Sequence, residues 1–319
     1  MRWSVSAHNT LRRCERQAFF GQVIAAPKSQ DPLRREAYVL KQLTQEEAWR
    51  GQVIHKIMAT KVARILSDHR AEIDPEDLTA AAVELGRRQF DFSSRHCYRS
   101  ETKSRAGDDF AAFFVHEYGC GLSDDPITNL EDTARNCFEN LAKWDQLLAH
   151  LASADQLQIE RSAAVKIAGV TVAVTPDLVA VHRDRWHTIV DWKVAASLTS
   201  SYSMQLLVYG LAAVYGRNSE VRPDQLVLSE ANLLSGVITK FPLDRATATE
   251  TEDLIFRSAA DRDALFDAPE SQDLLGRLSE LDVAQSAGTC ATCGFRKLCL
   301  DALSTPRPPD LEAIQGVLV

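Results

Sequence analysis

The stretch GVTVAVTPDLVAVHRDRWHTIVDWK, residues 169–193, decides the fold of this chain. Val170, Val172 and Val174 alternate with small residues, and Leu178, Val179 and Val181 continue the run. Alternating β-branched residues fit a pleated, half-buried strand. His182 to Arg185 reads as a polar turn, and Trp186 to Val194 as a second strand closing an antiparallel hairpin. Asp177, Asp191 and Lys193 interrupt this apolar frame. Asp191 and Lys193 are two apart, so on a strand they share a face. Asp177 lies on the partner strand, where register can bring it beside Asp191. Neighbouring carboxylates repel unless a cation sits between them, and oxygen ligands suit Mg²⁺ or Mn²⁺. A lysine alongside can activate a metal-bound water or stabilise charge developing on a phosphate. Taken alone, two strand-end acids and a lysine are commonplace in α/β proteins, so the rest of the chain must supply the context.

A chain of 319 residues can bury a full core and could hold one elaborate domain or two. Its 45% apolar and 25% charged residues are those of an ordinary globular protein. The net charge of −8 excludes a global basic field, so a nucleic-acid partner would need local basic patches. The first twenty residues contain no apolar run of signal-peptide length, and no segment approaches a membrane span. The expectation is a cytosolic protein with no membrane partner, in which seven cysteines are not a disulfide framework.

Upstream of the hairpin, Gln156 to Ile167 reads as a strand containing Glu160, an acid that could face the site but more simply takes an ordinary exposed position. Downstream, Ser201 to Tyr215 reads as a helix in which Gln205 and Tyr209 are polar, four apart and on one face. Strands near 225–231 and 236–241 and helices over 247–266 and 271–281 follow. Earlier in the chain, Thr44 to Leu66 reads as an amphipathic helix, with Trp49, Val53, Ile57 and Val62 near helical spacing. Gly51 and His55 share one face of it. A mid-helix glycine costs about 1 kcal/mol against alanine, which suggests a close approach by something else. A lone histidine is more often a packed core residue, but here the imidazole is aimed at the acidic hairpin. Residues 27–43 read as a polar connector, and 67–151 as mostly helical. Within that region Arg95, Arg99, Lys103 and Arg105 form a basic cluster around Tyr98, suited to phosphates and a stacked base or simply to a solvated loop.

The cysteines divide into two kinds. Cys97, Cys120 and Cys137 have no ligand spacing and read as structural. Cys290, Cys293 and Cys299 are separated by two and five residues, which is a metal-ligand pattern short of one sulfur. A zinc or iron–sulfur site built of cysteines alone needs a fourth. Cys14, on an arginine-flanked helix opened by Ser4 or Ser6 and running through Phe19, is the best candidate.

These residues together resemble a RecB-like nuclease of the PD-(D/E)xK superfamily. The likeness is to the iron–sulfur branch found in AddAB-type helicase–nucleases and CRISPR-associated RecB-like exonucleases. It rests on Gly51 with His55, Pro176 with Asp177, Asp191 with Lys193, Gln205 with Tyr209, and one cysteine near the start with three near the end. Val174-Thr175 and Val194-Ala195 depart from the family's Gly-Arg before the metal-binding Asp and Thr-Gly after the lysine. The resemblance implies an α/β, restriction-endonuclease-like core of αβββαβ order, a mixed sheet flanked by helices. It implies a single nuclease domain over 1–303 with a helical insertion at 67–151. An iron–sulfur staple would join 1–24 to 285–303, and 304–319 would be a flexible tail.

The implied activity is a Mg²⁺- or Mn²⁺-dependent deoxyribonuclease, an exonuclease or end-processing enzyme on single-stranded DNA or DNA ends. His55, Asp177, Asp191 and the Trp192 carbonyl would bind the metal. Lys193 would position or activate water, Gln205 would orient Lys193 or the phosphate, and Tyr209 would contact the strand, with Arg95, Arg99, Lys103 and Arg105 as further DNA contacts. Cys14, Cys290, Cys293 and Cys299 would hold a [4Fe–4S] cluster. The partners implied are DNA and a helicase or a CRISPR or defence protein, in repair or antiviral defence. The alternatives are a non-catalytic nuclease-fold subunit that grips DNA ends or scaffolds a complex, and a zinc-structured interaction protein.

Overall fold

The computed structural model describes residues 2–121, 123–183, 187–196, 200–217, 219–266 and 274–302. The chain forms two compact units, each assembled from separated segments. The first comprises residues 1–5, 50–86 and 127–259, and the second 6–49, 87–126 and 260–319. The helical region at 67–151 is thus divided between them. No described helix is long and apolar enough to cross a membrane.

The first unit is built on a five-stranded mixed sheet. Its strands are β1 (Gln156–Ile159), β4 (Leu178–Val181), β5 (His187–Lys193), β6 (Leu226–Asn232) and β7 (Val237–Phe241), side by side in that order. β2 (Ala163–Ile167) and β3 (Val170–Val174) form a separate two-stranded antiparallel sheet. β1, β4 and β5 are antiparallel, β6 is parallel to β5, and β7 returns antiparallel. A parallel neighbour needs a crossover, and helix α1 (Ser200–Val214) provides it. Before the sheet, the predicted 44–66 helix runs as Glu46–Ile57, a π-turn at Met58–Val62 and Ala63–Ser67. The core joins Trp3, Val172 and Ile189 to Leu206, Tyr209 and Leu228. α1 lies close on β6 at Gly210, where an added Cβ would meet Leu228 and Leu243 at 3.0 Å.

The sheet corrects two sequence expectations. The strand expected over 156–167 is two, broken where Glu160 takes a left-handed φ of 45°. The strand expected over 169–182 is also two, broken at Thr175–Asp177, so its halves belong to different sheets. Alternation of apolar residues runs through both breaks and hides them. The expected antiparallel pairing across the turn is present, with Leu178 opposite Val190 and Val181 opposite His187. The end of the turn and Trp186 lie outside the described residues, as do residues 271–273 and the tail.

The second unit packs Phe19, Phe20, Leu40, Phe266, Leu278 and Phe295 into its own core. Residues 27–43, expected to be a connector, include the helix Pro32–Leu40. Asp31 caps it, accepting from the Leu33 and Arg34 amides, and proline opens its first turn. The N-terminal helix is also broken. Val5–Arg13 and Glu15–Phe19 are separate, and between them Cys14 is extended, its Sγ accepting from the Gln17 amide at 3.4 Å.

Candidate active site

Two strand ends and two helix faces of the first unit assemble the site. Asp177 stands where the chain enters β4, and its Oδ2 accepts from the Trp192 amide of β5 at 2.8 Å. That bond fixes one carboxylate to the strand carrying the other. His55 Nδ1 lies 3.5 Å from Asp177 Oδ1. Asp191 is 1% exposed and ion-paired with Lys193. Lys193 also donates to Gln205 Oε1 at 3.0 Å, and Gln205 Nε2 donates to the Tyr209 hydroxyl at 2.5 Å. Tyr209 in turn donates to the Thr175 carbonyl at 3.1 Å, two residues before Asp177. The polar chain thus runs from the lysine through α1 back to the other acidic strand.

Electrostatics follow from burial. Burial raises the Asp191 pKa against the pull of Lys193, with the Asp177 charge adding to the rise. Burial alone would lower His55, but its hydrogen bond to Asp177 and the charges of Asp177 and Asp191 outweigh that and raise it. Tyr209 is raised by burial and by Asp191, so it stays a neutral donor. A buried acid and a half-buried imidazole with raised pKa values, side by side in one site, are the kind of perturbed groups that cluster at functional sites.

His55, Glu160, Asp177 and Trp192 line a cavity of about 10 Å³, room for one water or ion. The donor set fits a hard divalent cation. Glu160, expected at an ordinary strand position, borders this cavity, and its amide donates to the Asp177 carbonyl at 3.0 Å. Gly51 is less constrained than expected, because an added Cβ would meet only Val194, at 3.9 Å. A groove of about 720 Å³ opens beside Tyr209 and Pro176, with Arg161, His187 and Arg217 among its lining residues.

The sequence reading did not single out Glu230. It lies on β6 in register with Asp191 and is 2% exposed. Burial raises its pKa against the nearby Lys193. The available signal was a lone acid inside the otherwise apolar run LVLSEA.

The second unit brings the four predicted cysteines together. Cys14, Cys290, Cys293 and Cys299 line one cavity of about 40 Å³ with Phe20 and Phe295. Burial pushes the Cys293 thiol up to about 12 and raises Cys290, and the neighbouring thiols add to both. Cys299 is raised by burial, opposed by a hydrogen bond from Arg16. Arg16 is buried and donates to the Leu281 carbonyl at 2.8 Å, holding the N-terminal segment against the chain's end. Gly294 allows the close turn there: an added Cβ would lie 2.5 Å from the Leu40 carbonyl oxygen. Among the described residues, no three His, Cys, Asp or Glu side chains are already placed to hold one metal ion.

The predicted basic cluster lies in the second unit. Arg99 is ion-paired with Glu36, at 3.0 Å, and with Glu117, while Arg95 pairs with Asp91 at 2.8 Å. Tyr98 is 1% exposed and donates to Glu117, so its ring is not open for stacking. Lys103 and Arg105 are exposed.

A family model of the PD-(D/E)XK nuclease superfamily matches residues 2–300. The chain belongs to this superfamily, a class of generally metal-dependent nucleases with this mixed α/β fold. Comparison with curated proteins gives no match. Among solved structures the chain is similar to one titled "Crystal structure of SSO0001", at 16% identity over 56% of this chain and 76% of that one. The TM-score of that match is 0.29.

Proposed function

We propose that this chain is a Mg²⁺- or Mn²⁺-dependent deoxyribonuclease of the RecB-like, iron–sulfur branch, hydrolysing phosphodiester bonds in single-stranded DNA or at DNA ends. The observation that carries it is the gathering of His55, Asp177, Asp191, Lys193, Gln205 and Tyr209 in one connected polar site. His55, Asp177 and Asp191 would hold the divalent cation, which when bound supplies an acidified water and neutralises the scissile phosphate. Lys193, steadied by Gln205, holds its ammonium where phosphate charge develops. Tyr209 keeps Gln205 in place and borders the groove, where Arg161 and Arg217 offer positive charge to a phosphate backbone.

The cysteine cavity supports the cluster by its donor set. Four sulfurs border one space, and a cationic Arg16 offsets the charge of thiolates. A [4Fe–4S] cluster there acts as a staple, since the hydrolytic residues all lie in the other unit. The test is cleavage of end-labelled single- and double-stranded DNA with Mg²⁺, Mn²⁺ or EDTA. Metal-dependent shortening of the single strand is expected. Binding of ends without cleavage under any metal would favour a non-catalytic end-binding subunit.

A further inference from the structure

β5 and β6 run parallel with Asp191 opposite Glu230 and Lys193 opposite Asn232. Paired residues on neighbouring strands project to the same face, about 4.8 Å apart along the hydrogen-bonding direction. Glu230 therefore stands beside Asp191 and diagonally across from Lys193, within reach of a long side chain. The two β6 residues differ in one respect. Asn232 is fully engaged: its Nδ2 donates to the Ala195 carbonyl at 3.0 Å, and its Oδ1 accepts from the Leu234 and Ser235 amides at 3.2 Å. Glu230 is just as buried, yet its Oε1 has no hydrogen-bond partner. A buried carboxylate oxygen left unpaired is costly, and native structures seldom keep one that no state of the protein uses.

Lys193 supplies the use. Its ammonium rests on Asp191 and Gln205. Asp191 cannot serve as the counter-charge of an ammonium and as the ligand of a divalent cation with full strength in both roles. Once Asp191 is committed to the cation, the two positive charges repel, and Lys193 needs another anion. Glu230 offers a buried carboxylate oxygen with no hydrogen-bond partner on that face, near Lys193.

We propose that Glu230 is a positioning residue, the second seat of Lys193. When the site is loaded with metal, the ammonium passes from Asp191 to Glu230 while Gln205 retains its hold. The inference rests on the reading of this site as metal-dependent. It explains why an acid sits in the apolar strand, and it gives the lysine a fixed place in both states.

The test reads Mn²⁺ affinity from the EPR signal of free Mn²⁺, in wild type, E230Q, K193M and the double variant, each shown to be folded by its melting curve. E230Q should bind Mn²⁺ roughly tenfold more weakly, because Lys193 then loses the carboxylate that draws it off Asp191. On the K193M background the same substitution should change nothing. Wild-type affinity in E230Q would overturn the proposal. So would a loss that persists undiminished in K193M, since Glu230 would then act on the metal directly. If E230Q does not fold, E230D replaces it: weaker binding in the wild-type background alone supports the proposal, and any other pattern overturns it. D191A separates the two levels of the argument. If D191A binds Mn²⁺ as wild type does, the metal-site reading itself fails, whatever Glu230 does.

Discussion

The candidate active site and the cysteine cavity are built in opposite ways. In the first unit nearly every functional side chain is already held by another: His55 to Asp177, Asp177 to the Trp192 amide, Lys193 to Gln205, and Gln205 to Tyr209. In the second unit the four thiols border a cavity and make few polar contacts, from the Gln17 amide to Cys14 and from Arg16 to Cys299. Burial holds Cys290, Cys293 and Cys299 toward the neutral thiol form. The first site is organised by strand register and would stand without its ligand. The second is a set of buried thiols with few polar contacts, and in the cluster reading its full stabilisation would come from the bound group.

The largest effect should therefore fall on the cysteines. Cys14→Ala should give a colourless protein of much lower stability, while Cys97→Ala stays brown and stable. A cluster joining Cys14 to Cys290 closes a loop of about 275 residues. By loop entropy such a closure contributes roughly 5 to 6 kcal/mol, as an upper figure. Iron content, absorbance near ~400 nm and melting temperature give the answer. Stoichiometric zinc without iron would replace the cluster by a zinc site. A Cys14→Ala protein that keeps its iron would place the fourth ligand elsewhere.

Next comes catalysis. Asp191→Ala and Lys193→Ala should each lower cleavage by about a thousandfold or more. Both should stay folded, because the register of β5 with β4 and β6 does not depend on them, but Lys193→Ala should melt lower than Asp191→Ala because it leaves the buried Asp191 carboxylate without its counter-charge. Removing divalent metal with EDTA should likewise cost activity and little stability, the reverse of removing the cluster. Equal losses of stability in the two experiments would erase the contrast between the sites.

The contrast also marks what was legible in the sequence. Asp191 and Lys193 are readable because strand periodicity fixes their face, and His55, Gln205 and Tyr209 because helical spacing does, whereas Asp177 sits in the break before β4 rather than on the strand expected for it. The cysteine set is readable because three thiols at ligand spacing, with a fourth near the start of the chain, form a pattern that stands out in the sequence. Glu230 was not readable, since its place depends on the pairing of β6 with β5, a contact 39 residues apart in sequence. The break at Cys14 was hidden because the flanking residues suit one continuous helix, and the capping bond from the Gln17 amide to Sγ is visible only in three dimensions. The helix Pro32–Leu40 had a capping signal in Asp31-Pro32, masked by its polar composition.

A pH titration sharpens the picture of the hydrolytic site. His55 and Asp191 both carry raised pKa values, and metal binding needs the neutral imidazole and the ionised carboxylate. Mn²⁺ affinity should thus rise with pH, by up to about tenfold per unit for each proton displaced. The stability of the metal-free protein should move the other way. His55 is raised above its ordinary 6.5, so its contribution is full below that value and is lost as pH climbs through the folded value. His55→Asn should flatten that fall. Affinity independent of pH would remove His55 from the ligand set. A smaller loss is expected from Gln205→Ala, roughly tenfold in kcat, the worth of one hydrogen bond to a charged group. A Gln205→Ala enzyme with full kcat would mean that Lys193 is held by other means.

The smallest effect concerns the basic run of the second unit, where the two halves should separate. Arg99 is neutralised by Glu36 and Glu117, and the Glu117 side chain is only 8% exposed. Arg99→Ala strands that buried carboxylate, so it should lower the melting temperature and leave DNA affinity nearly unchanged. Lys103 and Arg105 are exposed, although Lys103 lies 5.4 Å from the Phe110 ring. Replacing both by alanine should leave stability alone and weaken DNA binding about two- to threefold. It should also reduce the dependence of log affinity on log salt by roughly 0.7 for each single-strand phosphate that is no longer neutralised. The measurement is affinity for a labelled single strand at several salt concentrations, beside a melting curve. If Arg99→Ala weakens DNA binding more than the Lys103/Arg105 double variant does, its ion pairs open on the nucleic acid. The run would then belong with the substrate rather than with the framework of its unit.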